Sequence, residues 1–228
     1  MLENKTILAV VAARGGSKGV PRKNLKLAGG KPLIAWIIET AKKSAYIDRL
    51  ILSSEDDEII ETAEMFGCEV PFVRPAELSK DDSSVSEVIL HAVKNSPGFD
   101  YVILLQPTSP LTRAKDIDGC IQHIIRNDFD SVVSITRPEK NPYWMFRLEE
   151  THHLRPILGD EYLTRRRQDL PPAFIPTGAV YMAKTQWFLI NRSFYGDNTC
   201  GYMIPRERSL DIDTQLDFKM LEALIADE

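Results

Sequence analysis

Apolar and polar positions follow two alternating rhythms along the first half of the chain. Thr6 to Ala12 is a short, β-rich apolar run, and a continuous run of this length reads as a strand buried on both faces. Pro32 to Lys43 then places Leu33, Trp36, Ile37 and Thr40-Ala41 at helical spacing. Arg49 to Leu52 reads as a second strand, and Asp56 to Phe66 as a helix with Gly67 placed to end it. Ser83 to Lys94 is a further helix, Tyr101 to Leu105 a buried strand, Asp116 to Arg126 a helix and Ser131 to Thr136 a strand. This order predicts an α/β fold, with a mostly parallel sheet covered by helices on both faces. Ligands of such sheets gather at the carboxyl ends of the strands. Three stretches fall there: Arg14 to Asn24, Gln106 to Arg113, and the loop after Arg74.

The rhythm breaks between Pro138 and Pro176, where six prolines are interspersed with Tyr143, Trp144 and Phe146. Exposed aromatics favour interfaces, so residues 138–176 are expected to form a small inserted lobe that dimerises the chain; an ordinary long loop packed on its own domain is the alternative. Gly178 to Lys184 resumes as a strand and Thr214 to Ala226 closes as a helix. A chain of 228 residues with 43% hydrophobic content fits one domain spanning residues 1–228. Its net charge of −5 argues against general nucleic-acid binding, so an anionic ligand must meet a local cluster of positive charge. Cys68, Cys120 and Cys200 are far apart and form neither a disulfide framework nor a zinc pattern. No apolar run is long enough to span a membrane, and the first runs directly into Arg14-Gly15-Gly16, unlike a signal peptide. A soluble, cytoplasmic homodimer is expected.

The densest chemical signal is Ala13-Arg14-Gly15-Gly16-Ser17-Lys18-Gly19, followed by Arg22-Lys23-Asn24. Its glycines let backbone N–H groups approach an anion, and Arg14, Lys18, Arg22 and Lys23 concentrate positive charge. Placed after a buried strand, this loop suits a triphosphate. It carries neither the spacing of a Walker A loop nor G-x-G-x-x-G.

Together with this loop, further segments occur in order: Arg74-Pro75-Ala76-Glu77-Leu78, Leu105-Gln106-Pro107-Thr108-Ser109-Pro110-Leu111, Arg167-Gln168-Asp169-Leu170-Pro171, Gly178-Ala179-Val180-Tyr181 and Asp211-Ile212-Asp213-Thr214. In order and spacing the set resembles the acylneuraminate cytidylyltransferases, the CMP-sialic acid synthetases, over nearly the whole chain. The resemblance implies a Rossmann-like sheet of the nucleotide-diphospho-sugar transferase type. It also implies transfer of CMP from CTP to the anomeric hydroxyl of an acidic nine-carbon sugar, with release of pyrophosphate. Legionaminic acid, pseudaminic acid and ketodeoxyoctonate are alternative acceptors; a non-catalytic nucleotide-binding protein is the rival from another class. Two departures stand out. The loop opens Ala12-Ala13-Arg14 where the family usually has Pro-Ala-Arg, and Thr177 stands where an asparagine usually precedes Gly-Ala-x-Tyr.

The resemblance assigns phosphate contacts to Arg14, Lys18 and Lys23. It assigns nucleotide contacts to Ala13, Arg14, Gly15, Gly16, Ser17, Asn24, Arg74 and Ser84. Sugar contacts fall on Gln106, Arg167, Tyr181, Phe194 and Tyr195. An amide at a strand end and a planar guanidinium suit a sugar carboxylate and hydroxyls, whereas the neutral reading of each aromatic is core packing. Asp211 and Asp213 are two residues apart, a spacing that in extended chain puts both carboxylates on one side, with Cα atoms roughly 7 Å apart. Such hard oxygens suit Mg²⁺, or Mn²⁺, bridging phosphates. Read from the residues alone, Asp213 or Thr214 is a helix cap; the resemblance makes Asp211 and Asp213 the metal pair, with Asp211 catalytic.

Overall fold

The structure is a computed structural model that describes residues 2–17, 19–80 and 82–226. Lys18 therefore lies outside the described residues. Six strands build the main sheet: β1 (Ile7–Ala12), β4 (Arg49–Ser53), β5 (Tyr101–Leu105), β6 (Ser131–Thr136), β9 (Ile175–Lys184) and β10 (Thr199–Met203), in the order β10-β6-β9-β5-β1-β4. Short hairpins β2–β3 (Leu27–Ala28, Lys31–Pro32) and β7–β8 (Phe146–Leu148, Leu154–Pro156) stand apart from it. The helices are α1 (Leu33–Lys42), α2 (Asp57–Met65), α3 (Val85–Asn95), α4 (Ala114–Arg126), α5 (Thr185–Asn191) and α6 (Gln215–Ala226).

β1 shows why the sheet needs cover on both faces. Ile7, Ala9 and Val11 pack with α1, α2 and α4, while Leu8 and Val10 pack with α3 and α5. Alternate side chains of a strand leave opposite faces, so an unbroken apolar strand is stable only between two layers of helix. The caps are local. Asp56 accepts from Ile59 N–H to open α2, Ser84 accepts from Ser86 N–H to open α3, and Gly67, at φ +78°, follows the end of α2.

One strand of the six runs against the others. β9 pairs antiparallel with both β5 and β6. The cause is connectivity: β6 ends at Thr136, opposite Ile175 of β9, so the intervening lobe serves as the loop of a long hairpin rather than as a crossover. Within that hairpin the register slips between Val133 and Ile135, leaving Thr177, Gly178 and Ala179 as a bulge on β9. Ser134 fills the break. Its hydroxyl accepts from Val180 N–H at 2.9 Å and lies 2.6 Å from the Thr177 hydroxyl. Gly178, at φ +78°, makes the turn that an L side chain resists.

A third, smaller cluster positions the site. Val20, Ala28, Leu33, Ile212, Phe218 and Leu221 pack together, so buried residues beside the glycine loop and beside the aspartates share one support. Among the described residues no helix is long and apolar enough to cross a membrane, and all three cysteines are free and buried.

Candidate active site

A cleft of about 300 Å³ opens at the carboxyl ends of β1 and β5. It brings together Ala13, Arg14, Gly16, Ser17, Lys23, Asn24, Arg74 and Gln106, all from the expected set. The loop is shaped by bonds to its own backbone. Asn24 is buried and donates Nδ2–H to the Arg14 carbonyl at 3.0 Å, while Arg74 donates Nη2–H to the Ala13 carbonyl at 2.8 Å. Arg14 donates Nη1–H to the Lys80 carbonyl across the mouth. Arg74 is only 4% exposed; Nε and Nη2 are taken by Ser79, Ala13 and Glu55, and among the described residues Nη1 has no partner.

Two expected nucleotide residues stand back from this lining. The Gly15 N–H points away from the cleft to Glu55, whose carboxylate accepts it at 2.9 Å. The Ser84 hydroxyl is spent on capping α3, and its neighbour Ser83 lines the cleft instead. An N-cap position claims the side-chain oxygen for the helix, which is why one residue's difference decides which serine reaches the ligand space.

The aspartates lie outside any strand or helix; Ile212 between them is fully buried, while Asp211 and Asp213 keep solvent-exposed surface. Ile212 N–H donates to the Thr108 carbonyl at 2.8 Å, tying this segment to the loop after β5. The helix-cap role falls to Thr214 alone. Asp217 reaches back to the Thr214 N–H and hydroxyl, and Thr214 Oγ1 accepts from Asp217 N–H. The side chain of Asp213 is thus left out of the cap, 73% exposed, with Lys23 Nζ at 3.1 Å. Lys23 also donates to the Ile212 carbonyl at 2.5 Å, joining the basic loop to the acidic segment.

Although Asp211 keeps solvent-exposed surface, desolvation by the atoms packed around its carboxyl pushes it above its ordinary range; the nearby charge of Asp213 adds to this, against the Thr108 hydroxyl and Lys23. Asp211 feels the charge of Asp213, while Lys23 lies against Asp213; a hard cation relieves repulsion between neighbouring carboxylates. Among the described residues no group of three or more His, Cys, Asp or Glu could hold a metal. The donor set therefore fits an ion that takes one or two carboxylates and fills its other positions with phosphate and water, as Mg²⁺ does. The β9 bulge lies beside Asp211. A Cβ on Gly178 would lie 3.4 Å from Asp211 Oδ2 and from Ser109 Oγ.

The expected sugar residues scatter. Tyr181 stands on β9, and burial, Tyr195 and the charge of Asp211 raise its phenol well above the ordinary value. Exposed Tyr195 meets it edge-on, ring centroids 6.4 Å apart. Phe194 belongs to the hydrophobic core, 4.8 Å from the Phe188 ring, which is the packing role foreseen as its alternative. Arg167 is exposed and does not reach the cleft of its own chain; it lines a separate groove of about 480 Å³ with Arg137 and Asn141 in the lobe. Thr177 turns into the bulge against Ser134 and is buried, so the change from the family's asparagine is absorbed by the sheet. Glu55 and Ser134 carry structural weight that no motif announced. For Glu55 a signal existed, since it follows directly on β4, at a strand's carboxyl end.

A family described as cytidylyltransferase matches residues 8–223. The chain is similar to a pseudaminic acid cytidylyltransferase of Campylobacter jejuni, with 32% identity over 221 residues that cover 95% of each protein. It is equally similar to a CMP-N,N'-diacetyllegionaminic acid synthase of Legionella pneumophila, with 32% identity over 225 residues and 96% of each. Among solved structures, a CMP:2-keto-3-deoxy-manno-octonic acid synthetase complexed with CTP superposes with a TM-score of 0.76 at 17% identity, covering 97% of this chain and 99% of that one. At that identity the last comparison establishes the fold.

Proposed function

The chain belongs to the cytidylyltransferase family, and from that membership we propose that it transfers CMP from CTP to the anomeric hydroxyl of a nine-carbon nonulosonic acid, releasing pyrophosphate. The observation that carries this reading is Lys23, whose ammonium joins the glycine-rich basic loop to Asp213 and the Ile212 carbonyl at one cleft. The sugar hydroxyl attacks the α-phosphate in line, the new oxygen–phosphorus bond replaces the bond to the leaving pyrophosphate, and no protein nucleophile takes part. Arg14, Lys18 and Lys23 hold the triphosphate against repulsion, and the Gly16 and Ser17 backbone lies against it. Asp211 and Asp213 would hold Mg²⁺, or Mn²⁺, which when bound supplies neutralisation of the charge on the transferred and departing phosphates. Gln106 at the end of β5 offers its amide to the sugar, and Tyr181 with Tyr195 forms a wall beside Asp211.

The lobe is read as the dimerisation element. Leu148 and Leu154, at 63% and 61% exposure, stand on a hairpin that pairs with no strand of the main sheet. A homodimer that sets the lobe of one copy over the cleft of its partner would bring Arg167, remote from its own cleft, to the sugar carboxylate. Free buried cysteines and the use of CTP support a cytoplasmic setting.

The test is pyrophosphate release with Mg²⁺, CTP and a panel of nonulosonic acids. Release with CTP and one acid, but not with ATP or UTP, is expected and names the acceptor. No release with any acid, while CTP binds, would instead favour a binding protein on a transferase fold.

A further inference from the structure

The phosphate loop is supported from behind by a residue outside every motif of the chain. Glu55 receives three donors: Gly15 N–H at 2.9 Å and Ser79 Oγ–H at 2.9 Å, with Arg74 Nη2–H at 2.5 Å. The same Arg74 nitrogen donates to the Ala13 carbonyl. Residues 13 and 15 are therefore both gripped, Ala13 by its carbonyl through cleft-lining Arg74 and Gly15 by its amide through Glu55, which stands outside the cleft lining. Charge-assisted bonds from a buried guanidinium to a half-buried carboxylate are short and directional. Burial alone would raise the Glu55 carboxyl, but the Gly15 amide and the Arg74 guanidinium outweigh it and hold it below the ordinary range.

The two glycines of the loop face opposite ways. Gly15 is missing from the cleft lining, whereas Arg14, Gly16 and Ser17 are part of it. A Cβ on Gly15 would fall 2.2 Å from Asp56 Oδ2, but one on Gly16 would meet nothing within 4 Å. The first glycine lets the loop press against the end of β4, and the second leaves the cleft side clear.

We propose that Glu55 is the positioning residue of the phosphate loop: by holding the Gly15 amide directly and the Ala13 carbonyl through Arg74, it turns Gly16 and Ser17 toward the triphosphate. Glu55 touches no phosphate itself. The inference rests on the CTP-binding reading above. It implies that the Gly15 amide stays with Glu55 when nucleotide binds, and that the loop contributes its later amides to the β- and γ-phosphates.

The test compares wild type with Glu55→Gln and Glu55→Asp by calorimetric titration of CTP and of CMP in Mg²⁺, alongside thermal melts. Glu55→Gln keeps the size and an acceptor for Gly15 but removes the charge that orients Arg74. CTP binding is expected to weaken about ten-fold, CMP binding less because it lacks the outer phosphates, and Glu55→Asp to fall between. Wild-type CTP affinity in Glu55→Gln would overturn the proposal. So would equal weakening toward CTP and CMP accompanied by a lowered melting temperature, which marks support of the fold as a whole. A wild-type chain that binds no CTP would overturn the functional reading, and this inference with it.

Discussion

The two sides of the proposed site are built in opposite ways: the loop side lines the cleft, whereas Asp211, Asp213, Tyr181 and Tyr195 lie outside its lining. On the nucleotide wall, Arg74 is 4% exposed and its bonds run to Glu55, Ser79 and the loop backbone, so the loop's shape is set before any ligand arrives. On the acceptor wall, Asp213 is 73% exposed, Tyr195 is exposed, and Arg167 faces a groove elsewhere in the lobe. The difference follows from what each wall must bind. A triphosphate presents the same charges every time and rewards a rigid cradle, because ordering cost is met in the folding of the chain. In the reading proposed above, the acceptor side gathers a metal ion, a sugar and a second copy of the chain, so its parts are complete only when these assemble.

The largest test of this contrast removes a carboxylate from the open wall. Asp211→Asn is expected to lower kcat by roughly a thousandfold through lost charge stabilisation, while CTP binding, which rests on the other wall, stays near wild type by calorimetry. Unchanged activity would remove Asp211 from the metal site. Next comes the lobe. Leu148→Asp with Leu154→Asp is expected to convert dimer to monomer in analytical ultracentrifugation and to reduce turnover at least about ten-fold, because hot-spot apolar residues at an interface carry most of its energy. A dimer that survives both changes would leave the lobe a packed loop. Gly178→Ala should have a smaller effect. A side chain at φ +78° costs about 1 kcal/mol while its Cβ meets Asp211 at an ordinary contact distance, so a lowered melting temperature is expected, with CTP affinity and metal requirement unchanged.

The smallest effect sharpens the other wall. Burial tends to raise Asp56, but the Arg22 guanidinium and the Ile59 N–H hold it below its ordinary range. A depressed folded-state value means stability that is present above the unfolded value of about 4 and lost as pH falls through the folded one. Asp56→Asn, which keeps a good N-cap for α2, is expected to flatten the acid limb of a stability–pH curve below about pH 5. An acid limb as steep as wild type's would show that the carboxylate's charge contributes nothing to the nucleotide wall.

Much of this molecule is legible along the chain. Tyr101 to Leu105 and Ser131 to Thr136 form strands with the bounds expected from their apolar runs, and α1, α2, α3, α4 and α6 lie within two residues of theirs. Period and cap chemistry are local, so neighbouring residues suffice to state them. The short strand Thr199–Met203, the helix Thr185–Asn191 and the two small hairpins escaped, because each is too short for its pattern to stand out. The basic glycine loop was also readable from residue type and placement, whereas the paired aspartates by themselves read as a helix cap and became a metal pair only through the resemblance.

Other features depend on contacts between residues far apart in sequence. The direction of β9 was one, since alternation looks the same whichever way a strand runs, and only the return from the lobe reverses it. The partner of Arg74 was another: nothing near position 74 names Glu55, and the pair forms because β4 delivers its carboxyl end beside the loop after β1. The choice of Thr214 over Asp213 as the cap freed the carboxylate that meets Lys23, a pairing across 190 positions. Residue type and spacing thus determined which chemistries this chain carries. The packing of distant segments into one cleft decided which side chains face the ligands and which hold them in place, because burial and hydrogen-bond satisfaction are properties of the assembled fold.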